Sequence, residues 1–194
     1  MNFLAHIYLS GNNDLIKIGN FMADGIRGKD YLNFHEDVKK GILLHRQIDT
    51  FTDSHLVYRK SKHRLHKKYG HYSGVIMDIL YDHFLAKNWS NYSDESLEDY
   101  AGKFYKSLFD NEAILTEKTK NLLPYMHDRN WLVSYATIAG IEIILFQMDY
   151  RTKYRANMQE AVIELKHFYE EFEEEFTIFF SELIVFSKQK ISKL

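Results

Sequence analysis

The chain has 194 residues, 45% of them hydrophobic and 27% charged, enough for one folded unit with a sizeable core. A formal charge of -2 and a pI near 6.5 give no global pull toward nucleic acid or a membrane surface, so any electrostatic role must come from a local patch. There is no cysteine, which excludes disulfides, thiolate nucleophiles and thiolate-held metal clusters; a metal could be held only by His, Asp, Glu, Asn or Gln.

One proline, Pro124, and 9 glycines leave few interruptions in a steady helical periodicity, which predicts an all-α, single-domain bundle over 1–194. Helices are expected at 2–9, 13–27, 34–51, 54–69, 72–89, 94–109, 112–122, 129–148 and 154–188, with tight turns at Gly11 to Asp14 and Gly70 to Ser73. The opening "MNFLAHIYLSGNN" has no basic segment and no long apolar run, so no signal peptide is expected. No stretch reaches the roughly 18 apolar residues of a membrane span, and the expectation is a cytoplasmic protein. The last helix is the most regular. Val162, Leu165, Phe168, Phe172, Phe176, Phe179 and Leu183 recur at three- and four-residue steps, while "EEFEEEF" supplies a solvated acidic face.

Several polar residues break this pattern at helical spacing. "GNFMADGIRG" places Asn20 and Asp24 four apart, with Arg27 three further on; "LHRQIDTFTD" strings His45, Asp49 and Asp53 along one stripe; "MDILYDHF" does the same with Asp78 and Asp82, with His83 beside them. Residues four apart on a helix have Cβ atoms roughly 5–6 Å apart, close enough for two side chains to share one cation. His6 sits inside the apolar "NFLAHIYL". Singly, each could be a core histidine, a surface ion pair or a cap. Together, carboxylates set among Ile42, Leu44, Ile48, Ile76, Ile79 and Phe84 would cost several kcal/mol each unless paired or metal-bound. Spacing alone leaves a His/Asp metal site and a set of ion pairs both open.

The set "MNFLAHIYLS", "GNFMADGIRG", "GILLHRQIDTFTDSH" and "MDILYDHFLAKNW" resembles the acyl carrier protein phosphodiesterase family in content, order and spacing over residues 1 to 89, and weaker similarity continues to the final helix. The resemblance implies an HD-like helical enzyme, distantly related to the HD phosphohydrolases. It also implies removal of the 4′-phosphopantetheine arm from a serine of acyl carrier protein, with Mn²⁺ (or Mg²⁺ or Fe²⁺) as cofactor. No adjacent His-Asp pair lies within these stretches; they offer His45-x-x-x-Asp49 and the reversed Asp82-His83. Within this resemblance, Asp24, His45, Asp49 and His83 are the expected metal ligands. His6, Asp78 and Asp82 are expected as further ligands or acid–base groups, and Arg27 and Arg46 as phosphate donors.

The segment "RKSKHRLHKKYGH" carries Arg59, Lys60, Lys62, Arg64, Lys67 and Lys68 with no acid. No aromatic platform or groove-reading motif accompanies it, so nucleic acid is not the expected partner. As a plain helix it is a solvated face; within the resemblance it is the docking surface for an acidic carrier protein. Two rivals remain: an HD-like phosphohydrolase acting on a nucleotide or other small phosphoester, and a non-catalytic helical binding module. The oligomeric state is left open.

Overall fold

The computed structural model describes residues 1–194 except the side chain of Arg151, and among the described residues every regular element is helical. In chain order these are α1 (Phe3–Tyr8), α2 (Asp14–Met22), α3 (Glu36–Ser54), α4 (Leu56–Tyr69), α5 (Ser73–Lys87), α6 (Leu97–Asp110), α7 (Glu117–Asp128), α8 (Trp131–Ser134), α9 (Ile138–Arg151), α10 (Ala161–His167) and α11 (Tyr169–Ile191). The all-α expectation holds. None of these helices is long and apolar enough to cross a membrane.

Side-chain oxygens set many of the starts. Asn13 accepts from the amides of Leu15 and Ile16, Ser96 from Asp99, Thr116 from Thr119, and Thr137 from Gly140, each satisfying donors a helix cannot satisfy internally. The caps also explain where the expected boundaries shift. The helix foreseen at 112–122 begins only after Thr116 and runs past Pro124 to Asp128, because Leu123 and Met126 beyond the first turns are buried. The stretch 129–148 is divided by a left-handed Asn130 and the Thr137 cap, and 154–188 is divided at Phe168 into α10 and α11. The helix expected over 13–27 stops at Met22 and continues as a single 3₁₀ turn, Ala23–Gly25.

Two packing features position the site. First, α5 lies at the centre, with Ile76, Met77, Ile79, Leu80, Tyr81, Phe84 and Leu85 buried on all its faces. Phe172, Phe176, Phe179 and Phe180 of α11 close over it, with Tyr81 meeting Phe176 and Phe179 at 5.5 and 5.4 Å between ring centres. Rings of this size contribute about 1.5–3 kcal/mol each when fully buried. Second, α2 and α3 cross with backbone against backbone. A Cβ on Gly41 would stand 2.2 Å from the Ile16 carbonyl oxygen, and one on Gly19 would stand 2.2 Å from that of Val38. Only hydrogen fits at either crossing point.

Candidate active site

The close crossing carries Asn20 of α2 and Asp24 of the following turn against His45 and Asp49 of α3, and α1 brings His6 to the same place. The imidazoles of His6 and His45 stack with centres 4.1 Å apart and planes 18° apart. His45 Nε2 lies 3.2 Å from an Asp24 oxygen and 3.1 Å from an Asp49 oxygen, and His6 Nε2 lies 3.4 Å from the other Asp49 oxygen. Both rings are buried, while Asp49 is half-buried and Asp24 exposed.

Asn20 organises both histidines. Its amide NH₂ donates to the His6 carbonyl at 3.0 Å and to the Ser10 hydroxyl at 2.9 Å, which fixes the direction of its oxygen. That oxygen accepts from His6 Nδ1 at 2.8 Å and from His45 Nδ1 at 3.1 Å, and the Asn20 carbonyl accepts from His45 Nδ1 at 2.9 Å. With both Nδ1 atoms acting as donors, both Nε2 atoms are turned toward the carboxylates.

The electrostatics follow this arrangement. Burial disfavours charge on His45, but its hydrogen bonds to Asp24 and Asp49 outweigh burial and raise its pKa to about 9. Burial and the neighbouring His45 hold His6 below the usual histidine value. The His45 hydrogen bond lowers Asp24. Burial alone would raise Asp49, yet hydrogen bonds and charges from His45 and His6 hold it well below the carboxylate range. The strong attraction for one positive charge at His45 Nε2 is what a ligand set offers a cation.

Donor atoms of His6, His45 and Asp49 lie within 4.8 Å of one another. Two imidazole nitrogens and a carboxylate, with a second carboxylate from Asp24 beside them, fit a divalent ion of the Mn²⁺, Fe²⁺ or Zn²⁺ kind. The group forms one wall of a cavity of about 300 Å³ that Asp53, Tyr58, Val75 and Asp78 also line. Thr52 lies on the same wall, with its buried hydroxyl unpartnered within the protein.

Other residues expected at the site are placed elsewhere. His83 is the main correction. It is buried with Nδ1 donating to the Tyr135 carbonyl at 2.8 Å and Nε2 accepting from the Tyr169 hydroxyl at 2.8 Å, so both nitrogens are occupied away from the cluster. Asp82 is buried against the start of α1, where its carboxylate accepts from the amides of Asn2, Leu4 and Ala5. Burial raises its pKa to about 7 despite those bonds. It serves as a cap for α1 and does not reach the cavity. Asp78 does line the cavity, accepting from the Met1 α-amine at 2.9 Å and the Tyr58 hydroxyl at 2.7 Å. Arg46 donates to the Ile26 carbonyl at 3.2 Å and lies over Tyr31, tying down the segment after Asp24 instead of facing the cavity. Arg27 is exposed and lines neither that cavity nor its neighbour.

The basic run forms α4, but much of its charge is already balanced. Lys60 and Arg64 pair with Glu175, Lys68 with Glu160 and Glu164, and Lys62 lies 3.8 Å from Asp53. Arg59 and Lys67 are exposed with no ion pair among the described residues. Asn20, singled out by spacing only as the residue four before Asp24, has an organising role that the spacing did not indicate.

An all-helical chain that gathers two histidines and two carboxylates on the wall of a cavity has the make-up of a His/Asp hydrolytic centre. Comparison with known proteins gives that class a family. The model of the acyl carrier protein phosphodiesterase family matches residues 1–183, and the chain belongs to this family of phosphodiester hydrolases. It is 29% identical to the acyl carrier protein phosphodiesterase of Pectobacterium atrosepticum, over 97% of this chain and 98% of that protein. It is 30% identical to that of Photorhabdus laumondii, over 93% and 91%, and 27% identical to that of Yersinia enterocolitica, over 98% and 99%. No solved structure matches it.

Proposed function

We propose that this protein hydrolyses the phosphodiester joining 4′-phosphopantetheine to a serine of acyl carrier protein, and that it does so with a divalent cation held by His6, His45 and Asp49. The observation that carries the reading is the pair of Nε2 atoms, both aimed by Asn20, meeting Asp49 at the wall of a cavity. A cation bound there would lower the pKa of a water molecule and offset the negative charge that shields phosphorus.

The protein's own groups do the rest. Asn20 fixes Nδ1 of both rings as the nitrogen facing the protein, so Nε2 is the atom left for the cation, and His45 would release its Nε2 proton as the cation binds. Asp24, on its exposed turn, can complete the donor set or orient water beside His45. Asp78, held by the Met1 amine and Tyr58 on the cavity wall, is placed to exchange a proton with water or the leaving oxygen. Arg27 lies outside both cavities and Arg46 is bound to the Ile26 carbonyl, so neither guanidinium is assigned to the phosphate. The His/Asp donor chemistry is also what supports the proposed kinship with HD phosphohydrolases.

For the carrier itself, the free charges of Arg59 and Lys67, extended by Lys62, form the proposed docking edge on α4. Lys60, Arg64 and Lys68 contribute less because Glu175, Glu160 and Glu164 already balance them. Complementary charge at such an edge mainly steers encounter. The direct test is incubation of the protein with holo-acyl carrier protein and Mn²⁺, read by mass. Loss of the arm, suppressed by a chelator and restored by added Mn²⁺, is the expected result. Release indifferent to chelation would remove the cation, and no release would remove the substrate.

A further inference from the structure

Next to the cavity beside the His/Asp cluster lies a second, larger cleft of about 630 Å³ between the α2–Asp24 turn, α5 and α7. The two adjoin, with Met1, Asn2, Phe3, Phe21, Asp24, Val75 and Asp78 lining both. Its far part is lined by Met22, Leu122, Tyr125 and Met148, with the polar ends of Lys118 and Asn121 at the edge. Tyr125 keeps 62% of its surface exposed and Val75 38%, so both side chains are accessible to a ligand entering the cleft.

We propose that this cleft holds the pantetheine arm of the substrate, with the phosphate at the His/Asp cluster and the chain extending past Met22 toward Tyr125. The inference rests on the substrate reading above and deepens it. Pantetheine suits the cleft. It is a narrow chain whose methyl and methylene groups match the apolar wall, and its two amides match donors and acceptors such as Asn121 and Lys118 at the edge. Volumes of 300 and 630 Å³ fall in the range of sites for ligands of this size. An α7 wall that grips the arm would also set which end of the diester faces the cluster. That is the positioning a hydrolase needs to break the same bond each time.

The absence of cysteine provides a clean test. Tyr125→Cys and Asn121→Cys each place a single thiol on an exposed position of the cleft; Val185→Cys, 56% exposed on α11, places one on a surface outside it. Each protein is mixed with pantethine, the symmetrical disulfide of pantetheine. Exchange of the engineered thiolate with it yields one mixed disulfide and one free pantetheine, followed by mass. Rates are normalised to those with 2-hydroxyethyl disulfide, which removes differences in thiol reactivity. Preferential labelling of positions 125 and 121, at least tenfold over 185, is expected. Equal normalised rates would overturn the cleft assignment. The readout needs no turnover, so a wild-type protein that strips the carrier while labelling stays uniform condemns the cleft and spares the activity. Selective labelling in a protein that never strips the carrier condemns the activity and leaves an arm-binding cleft.

Discussion

The histidine–aspartate pairs of α3 and α5 do opposite things with the same side chains. On α3, His45 and Asp49 are four residues apart, share one face and meet His6 and Asp24 at a cavity. On α5, Asp82 and His83 are adjacent, point in different directions and are spent on their surroundings: Asp82 on three amides of α1, His83 on a carbonyl and a tyrosine. A buried polar group whose valences are all satisfied by the protein holds structure. One whose remaining valence faces a cavity is available for chemistry.

The comparison can be broken most sharply by truncation. His45→Ala or Asp49→Ala should reduce carrier turnover by about a thousandfold or more and abolish Mn²⁺ binding in a calorimeter, with the helical circular dichroism kept. A folded His45→Ala protein with full turnover would falsify the division drawn here. Asn20→Ala leaves the donors present but lets both rings turn, and should cost about 10–100-fold in metal affinity. His83→Phe tests the other pair. It strands the Tyr135 carbonyl and the Tyr169 hydroxyl, so a stability loss of about 1–3 kcal/mol is expected in urea titration, with turnover per folded molecule within about threefold of wild type.

The smallest effect is one of pH. Asp82 has a folded pKa of about 7, above its ordinary value of 3.8. Between those values the folded chain keeps a proton that the unfolded chain has lost, so this group makes stability fall as pH rises through the window and level off above it. The slope for one proton cannot exceed about 1.4 kcal/mol per pH unit. Asp82→Asn has no such titration. The stability gap between wild type and this variant should therefore narrow from pH 4 to pH 7, and a gap constant with pH would show that Asp82 is ionised throughout.

Periodicity also explains how much of this could be read in advance. On α3, the buried residues fall on one side, so the four-residue step from His45 to Asp49 carried directional information. On α5, apolar residues are buried all round, and no period could say which way Asp82 or His83 faced. The helical class and the shared face of His45 and Asp49 were therefore legible in the periodicity, whereas Asp24 was joined to them only by the family resemblance. The exclusion of His83, the capping duty of Asp82 and the turning of Arg46 onto the Ile26 carbonyl depend on neighbours 20 or more residues away and, for Arg46, on a turn the helix pattern concealed. Asn20 was visible but mute, since an uncharged amide gives no hint that two rings depend on it.

The contact between Gly19 and Gly41 makes the spacing of the His/Asp cluster a property of two residues that are not members of it. A methyl group at position 41 would wedge the two helices apart and carry Asn20 away from His45, detuning every donor while removing none. Surveys that score positions by their nearness to the chemistry would pass over both glycines, although the width of the reaction centre is measured out there.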